Sequence, residues 1–64
     1  MENRIRAFRK AADLRQEDLA RELGVTRQTI NAIENNKYDP TLALAMKLAR
    51  LLGQPVEELF LLPK

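Results

Sequence analysis

The chain has 64 residues, enough for one domain with a small hydrophobic core to which self-association can add buried surface. It contains neither Cys nor His, which excludes disulfides, zinc fingers, thiol nucleophiles and imidazole bases. Eleven Lys and Arg residues against nine Asp and Glu give a net charge of +2, which does not by itself demand a polyanionic partner. No apolar run approaches the roughly 18 residues of a membrane span, and we see no signal peptide. We expect a cytoplasmic protein that is not an enzyme, with no catalytic residues, no metal site and no cofactor.

Apolar residues recur at three- and four-residue spacing along the sequence, which predicts an all-α chain. The first helix is predicted from about Asn3 to Ala12, followed by Asp13, which tolerates a left-handed backbone better than most residues. The second is predicted from about Gln16 to Leu23 and ends at Gly24, a strong C-terminal signal.

Three further helices are predicted from the same kinds of boundary residues. The third opens after the N-cap Thr26 and frays at Asn35 and Asn36, where Asn36 can adopt a positive φ. The fourth begins after the cap Thr41 and ends at Gly53, and a short fifth helix starts near Pro55. The side chains expected to face the core are Ile5, Phe8, Leu19, Ala20, Leu23, Val25, Ile30, Ile33, Leu42, Ala45, Leu48, Ala49, Leu52, Val56, Leu59 and Phe60.

The second and third helices are separated only by Gly24 and Val25, and this spacing predicts a helix-turn-helix. The small Ala20 on the inner face lets the two helices approach closely, and Gly24 supplies the dihedral angles of the turn. Such a unit presents the first residues of its second helix to the major groove of duplex DNA, which is about 12 Å wide.

The string from Gln16 to Asn35, QEDLARELGVTRQTINAIEN, resembles the Cro/CI-type (xenobiotic-response-element, XRE) helix-turn-helix family. The later pieces KYDPT, LLG and EELF are similar to the small stand-alone regulators of that family, so the resemblance covers nearly the whole chain. It implies a compact five-helix, lambda-repressor-like domain over residues 1–64, with the helix-turn-helix at about 16–35. It also implies a prokaryotic, nucleoid-associated transcriptional regulator, most simply a repressor, that binds a palindromic operator in double-stranded DNA as a homodimer.

The resemblance also assigns roles to individual polar residues. It assigns base reading to four residues on the third helix. Their side chains suit this role, since Arg pairs with guanine, Gln or Asn pairs with adenine, and Ala contacts a thymine methyl group. An ion pair between Arg9 and Glu34 is expected to fasten the first helix to the end of the third. The base-reading residues are Arg27, Gln28, Asn31 and Ala32, and the residues expected at the DNA backbone are Gln16, Thr26, Thr29, Asn35, Lys37 and Tyr38.

Other interpretations of the same residues remain open. The polar side chains of the third helix are also typical of a solvated helix face. We expect Arg4, Arg6 and Lys10 on the first helix to form a solvated face, with a DNA contact as the alternative. The tail contains more apolar side chains than one short helix can bury, and we expect a dimer interface of Phe60, Leu61 and Leu62, with a frayed tail as the alternative.

A second function is compatible with the same fold, namely an antitoxin or adaptor module that binds another protein. That function predicts an additional disordered or toxin-neutralising segment, a monomeric isolated chain and no preference among DNA sequences. No small-molecule ligand is evident from the sequence.

Overall fold

The computed structural model describes residues 1–63. Within them, five helices pack around one core, which confirms the predicted five-helix, all-α class. No helix in this part of the chain is long and apolar enough to cross a membrane. The helices are α1 (Ile5–Ala11), α2 (Gln16–Leu23), α3 (Arg27–Glu34), α4 (Leu42–Leu52) and α5 (Val56–Leu59), and two short strands are β1 (Glu2–Asn3) and β2 (Phe60–Leu61).

The core draws one or two apolar side chains from every helix. Partly buried apolar residues, among them Phe8, Leu23 and Val25, pack against its margin. The burial of these side chains is the main source of stability available to so small a domain. The buried members of the cluster are Ile5, Leu19, Ala20, Ile30, Ile33, Leu48 and Leu59.

The predicted helix boundaries around the turn and before α4 are confirmed. The hydroxyl of Thr26 accepts a hydrogen bond from the backbone N–H of Thr29, and Thr41 caps α4 in the same way, both at 3.2 Å. Gly24 ends α2 with φ at 70°. Asp13 and Asn36 are the two residues other than glycine with positive φ among those described, at 59° and 63°.

A two-stranded antiparallel ribbon joins the two ends of the described chain, and the sequence did not predict it. Asn3 pairs with Phe60, so α1 begins at Ile5 rather than at Asn3, and Phe60 leaves the helical conformation that we expected for it. The side chain of Asn3 compensates at the start of α1, since its Oδ1 accepts from the Ile5 N–H at 3.1 Å. Strands of two residues are too short to show the alternation that marks a strand in a sequence.

The prediction that Leu42 faces the core is wrong. This side chain is 73% exposed, although Ala45 and Leu48 of the same helical stripe are buried. Leu42 is the first residue of α4, and its side chain lies at the surface although Leu44 of the same turn packs against the core and Ala45 is buried. Correct helical spacing therefore does not by itself place a side chain in the core. Leu42 instead lines a shallow apolar groove with Met1 and Phe60.

Candidate functional site

The turn between α2 and α3 fixes the direction in which α3 leaves the core. After Gly24, the N–H of Val25 donates to the carbonyl of Ala20 at 3.0 Å, which closes the end of α2. Ala20 is only 5% exposed, so α3 packs closely against α2 over a small side chain. Ile30 and Ile33 bury the inner stripe of α3, and the opposite face is left to solvent.

The exposed face of α3 carries the polar residues that the sequence singled out. Arg27, Gln28 and Asn31 are exposed, and Ala32 lies half-buried beside them. Within residues 1–63, the side chains of Arg27 and Gln28 form no hydrogen bond or ion pair. One cation and one amide, both unengaged, therefore stand at the start of the helix.

The two threonines at the start of α3 lie together. The Oγ1 atoms of Thr26 and Thr29 are 3.0 Å apart and share a hydrogen bond, in addition to the capping bond of Thr26. Thr26 is exposed and Thr29 is half-buried. The hydroxyl of Thr26 is thus largely committed to the cap.

The other end of α3 is held by an ion pair between Arg9 and Glu34. Arg9 Nε donates to Glu34 Oε2 at 2.6 Å, and Arg9 Nη2 donates to Oε1 at 3.1 Å, a two-point arrangement typical of strong Arg–carboxylate pairs. The side chain of Glu34 is fully buried and that of Arg9 is 9% exposed. Arg9 Nη1 also donates to the carbonyl of Leu14 at 2.9 Å, so one guanidinium joins α1, α3 and the segment before α2.

Two further residues bind the same carboxylate. Arg6 Nε donates to Glu34 Oε1 at 3.2 Å, although half of the Arg6 side chain is exposed. Gln16 Nε2, which we expected at the DNA backbone, donates to the same oxygen at 3.1 Å. Glu34 thereby connects α1, α2 and α3.

The charges around Glu34 determine its protonation. Burial by itself would raise the pKa of Glu34, but the hydrogen bonds from Arg9 and Gln16, the charge of Arg9 and the bond from Arg6 outweigh it. The pKa of Glu34 is therefore lowered below its ordinary value, and the group is a carboxylate at neutral pH.

The loop after α3 carries the remaining predicted residues. Asn35 Oδ1 accepts from Arg6 Nη2 at 2.9 Å, and Asn35 Nδ2 donates to the Asn31 carbonyl, also at 2.9 Å. Lys37 and Tyr38 are exposed, and the Lys37 ammonium has no acidic partner among residues 1–63. Asn31, Asn35 and Lys37 thus continue the polar face of α3 into the loop.

The start of α2 lacks a side-chain cap of the preferred kind. Arg15 stands at the N-cap, where Ser, Thr or Asn is preferred, and Asp18 accepts from the Arg15 N–H at 2.8 Å, which is one half of a capping box. This backbone hydrogen bond is the main reason that the pKa of Asp18 is lowered. The Arg15 guanidinium is paired with Glu17 at 2.9 Å and Asp18 at 3.4 Å.

Sequence reasoning missed the role of Arg6, which it assigned to a solvated face. The available signal was spacing, because Arg6 and Arg9 are three residues apart and therefore lie on one side of α1. Sequence reasoning also did not predict the contact of Gln16 with Glu34. Nothing in the sequence indicates that contact, which depends on how α2 and α3 pack.

The tail residues expected at a dimer interface lie on an apolar surface. Phe60 and Leu61 are half-buried in β2, and Leu62 is 80% exposed. Together with Met1 and Val56 they line a groove at the ribbon, adjacent to the exposed Leu42.

Comparison with known proteins gives consistent matches over most of the chain. Residues 5–59 match the helix-turn-helix family. The chain is 51% identical over 61 residues to an uncharacterized helix-turn-helix-type transcriptional regulator of Methanocaldococcus jannaschii, covering 95% of this chain and 92% of that protein. It is 39% identical over 57 residues to the cryptic phage CTXphi transcriptional repressor RstR of Vibrio cholerae, covering 89% of this chain and 51% of that protein. The restriction-modification controller protein C.AhdI of Aeromonas hydrophila has a similar structure, with a TM-score of 0.80 and 35% identity, covering 89% of this chain and 86% of that one.

Proposed function

We propose that this chain, which belongs to the Cro/CI-type helix-turn-helix family of DNA-binding transcriptional regulators, represses transcription by occupying an operator in duplex DNA. The members of this family are regulators and not enzymes. One observation carries the proposal: Arg27 and Gln28 stand exposed and unengaged at the start of α3, which is the part of a recognition helix that reaches base edges.

In this proposal α3 enters the major groove and its exposed face reads the sequence. Arg27 offers paired donors that suit guanine, and Gln28 offers a donor and an acceptor that suit adenine. Asn31 and Ala32 lie one turn further along the helix and contact the next bases.

The phosphates on both sides of the groove are bound by residues that flank α3. Lys37 supplies a positive charge that attracts the phosphates, since its ammonium has no acidic partner within residues 1–63. The Gln16 amide keeps one N–H beyond the one that it donates to Glu34. Further polar contacts with the DNA backbone are made by Thr26, Thr29, Asn35 and Tyr38.

The active species in this proposal is a homodimer on a palindromic site. One copy measures 32 Å in its longest dimension and carries one recognition helix, whereas half-sites of such operators lie about 34–36 Å apart. Two copies are therefore needed, and the exposed Leu62, with Phe60 and Leu61 beside it, supplies an apolar surface through which they associate.

Repression is favoured over activation because one relative, RstR, is a transcriptional repressor of a cryptic phage. Blocking polymerase requires only that the operator be occupied, which the reading face and the dimer surface accomplish. The expected location is the cytoplasm of a prokaryotic cell, at the nucleoid.

The test compares two alanine variants on selected and random DNA. Selection from a randomised duplex pool first identifies the operator of the unaltered chain. Gln28→Ala should then weaken operator binding by about 5- to 100-fold and leave binding to random DNA nearly unchanged. Lys37→Ala should weaken both, and should reduce the slope of log affinity against log salt by about one. An equal loss on operator and random DNA for Gln28→Ala would contradict the assignment.

The dimer is tested separately through the tail. Leu62→Asp should shift the chain from dimer to monomer in analytical ultracentrifugation, because it places a charge in the apolar surface. Lys10→Gln, on an exposed position of α1, changes the net charge by the same single unit and serves as the control for the charge change. If neither variant alters the sedimentation of a dimeric chain, Leu62 does not lie in the interface.

A further inference from the structure

A continuous chain of hydrogen bonds runs from the buried carboxylate of Glu34 to the exposed face of α3. Glu34 Oε1 accepts from Arg6 Nε at 3.2 Å, and Arg6 Nη2 donates to Asn35 Oδ1 at 2.9 Å. Asn35 Nδ2 then donates both to the carbonyl of Asn31 and to its side-chain Oδ1. Arg6 and Asn35 thus connect a buried acid to an exposed Asn31.

The direction of every bond in this chain is fixed by the chemistry of its members. A guanidinium can only donate, so the atom of Asn35 that faces Arg6 must be its oxygen. The nitrogen of the Asn35 amide then points toward Asn31, where the backbone carbonyl can only accept. Because that nitrogen donates, the Asn31 atom beside it must also be an oxygen.

The consequence appears at Asn31, the last residue of this series of hydrogen bonds. With its Oδ1 engaged by Asn35, Asn31 turns its NH₂ group away, and within residues 1–63 that group has no hydrogen-bond acceptor. Toward a ligand, Asn31 therefore offers two N–H donors, while its amide oxygen is turned toward Asn35.

We propose that Arg6 and Asn35 set the base preference of Asn31, making it a donor that selects guanine over adenine. The inference rests on the proposed function, in which Asn31 reads a base edge. Guanine presents two adjacent acceptors in the major groove, N7 and O6, which match two donors. Adenine presents N7 beside an N6 amine, and the usual Asn–adenine pair requires the Asn oxygen to face the base, whereas the Asn31 oxygen is turned toward Asn35.

Arg6 and Asn35 are positioning residues in this arrangement, since they act through Asn31. Glu34 supplies the fixed end, because its lowered pKa keeps it an acceptor at neutral pH. A side chain on α1 thereby influences which base α3 reads, although it is not itself on the reading helix.

The decisive variant is Asn35→Asp, examined by selection from a randomised duplex pool. The introduced carboxylate still accepts from Arg6 but cannot donate to Asn31. Asn31 must then turn its own amide, donate to the carboxylate and expose its oxygen, which accepts from cytosine N4 or adenine N6. We expect a preference for guanine of about tenfold to be replaced by a preference for cytosine or adenine at one base pair in each half-site.

The matched control is Asn36→Asp, which adds the same charge one residue away. Asn36 has φ at 63°, and Asp13 shows that an aspartate is accommodated at a similar angle in this chain. Its Oδ1 accepts from Asn3 Nδ2 at 3.2 Å, a bond that a carboxylate keeps. This variant should lower affinity for all sequences about as much as Asn35→Asp and leave the base preference unchanged.

Two further variants identify the base pair that Asn31 reads and weaken the base preference at that position. Asn31→Ala should abolish the preference at one base pair in each half-site and so identify the position that Asn31 reads. Arg6→Met should broaden the preference at that position by freeing the Asn35 amide. It should affect folding little, because Glu34 keeps its bonds to Arg9 and Gln16. Thermal unfolding shows that each variant is folded at the temperature of selection.

The possible outcomes separate the two proposals. An unchanged preference in Asn35→Asp at the Asn31-dependent position would overturn the inference and leave the proposed function standing. The same change of base preference in Asn36→Asp would also overturn the inference, since the added charge alone would then explain the change. If the unaltered chain enriches no sequence, both proposals fail.

Discussion

The two ends of α3 are held in different ways. At its start, Thr26 caps the helix through local bonds, and the side chains of Arg27 and Gln28 are unengaged within residues 1–63. At its end, Glu34 is fully buried and bound by side chains from α1 and α2, and Asn35 is bound by a side chain of α1. The side chains of Arg27 and Gln28 at the start of α3 are therefore unengaged, whereas the end of the helix is held by side chains of other helices.

This difference separates two tasks within one eight-residue helix. Flexible side chains at the start can adjust to a base edge, at some cost in side-chain entropy on binding. The fastened end keeps the axis of α3 in one direction, so the adjusting side chains begin from a fixed position. Changes at the end should therefore affect folding most, whereas removal of the unengaged side chains Arg27 and Gln28 at the start should affect binding alone.

The largest effect is expected from Glu34→Ala. It leaves the Arg9 guanidinium buried without its counter-ion, and removal of one partner from a buried pair costs about 3–5 kcal/mol. Urea unfolding followed by circular dichroism measures the loss in the free energy of unfolding.

The double variant Arg9→Met with Glu34→Met is the control for this experiment. It removes both charges, and replacement of a buried pair by apolar residues is often neutral or stabilising. If the single and double variants lose the same stability, the unpaired charge is not the cause.

The second effect is a loss of stability in acid that depends on Glu34. Its pKa is lowered on folding, so the carboxylate contributes its full stability at pH values above the pKa of the unfolded state. That contribution is lost as the pH falls through the lower folded pKa. The difference in free energy of unfolding between the unaltered chain and Glu34→Gln should be largest at neutral pH and shrink in this acidic range. A difference that stays constant with pH would contradict the assignment.

A smaller effect is expected at the start of α3. Thr26→Ala removes the hydroxyl that accepts from the Thr29 N–H and should cost about 1 kcal/mol in the free energy of unfolding. Thr26→Ser keeps the oxygen and should retain most of that stability. A loss as large as that of Glu34→Ala would show that the start of α3 is also held by tertiary contacts.

The smallest effect on folding is expected from Arg27→Ala. Its side chain is exposed and unengaged among the described residues, so the free energy of unfolding should change by no more than about 0.5 kcal/mol. Binding to the selected operator should nevertheless weaken, as measured by fluorescence anisotropy of labelled duplexes. A matching loss of stability would show that Arg27 has a structural role.

The features predicted well from sequence are those with local causes. Thr26 and Thr41 accept bonds from residues three positions on, and Gly24 takes the left-handed conformation that ends α2. Such signals depend on a few neighbouring residues. They place the boundaries of α2, α3 and α4 without knowledge of the tertiary structure.

The features predicted poorly depend on contacts between distant parts of the chain. The pairing of Asn3 with Phe60 shortens α1 and ends α5, and neither residue has a local signal for it. Leu42 has the spacing of a core residue and is nevertheless exposed, because no other element covers its side chain, whereas Ala45 on the same face is buried. A helical period gives the face on which a side chain lies but does not show whether another element covers that face.

The sequence by itself determined the helices, the turn at Gly24 and the exposed start of α3, because caps, glycine dihedrals and apolar spacing act over a few residues. The resemblance in its motifs added the expectation that Arg9 pairs with Glu34. Only the tertiary structure brought Arg6 and Gln16 to the same carboxylate and linked Arg6 through Asn35 to Asn31. Those contacts depend on how three helices pack around one buried charge, and long polar side chains such as these can reach several partners from the same position.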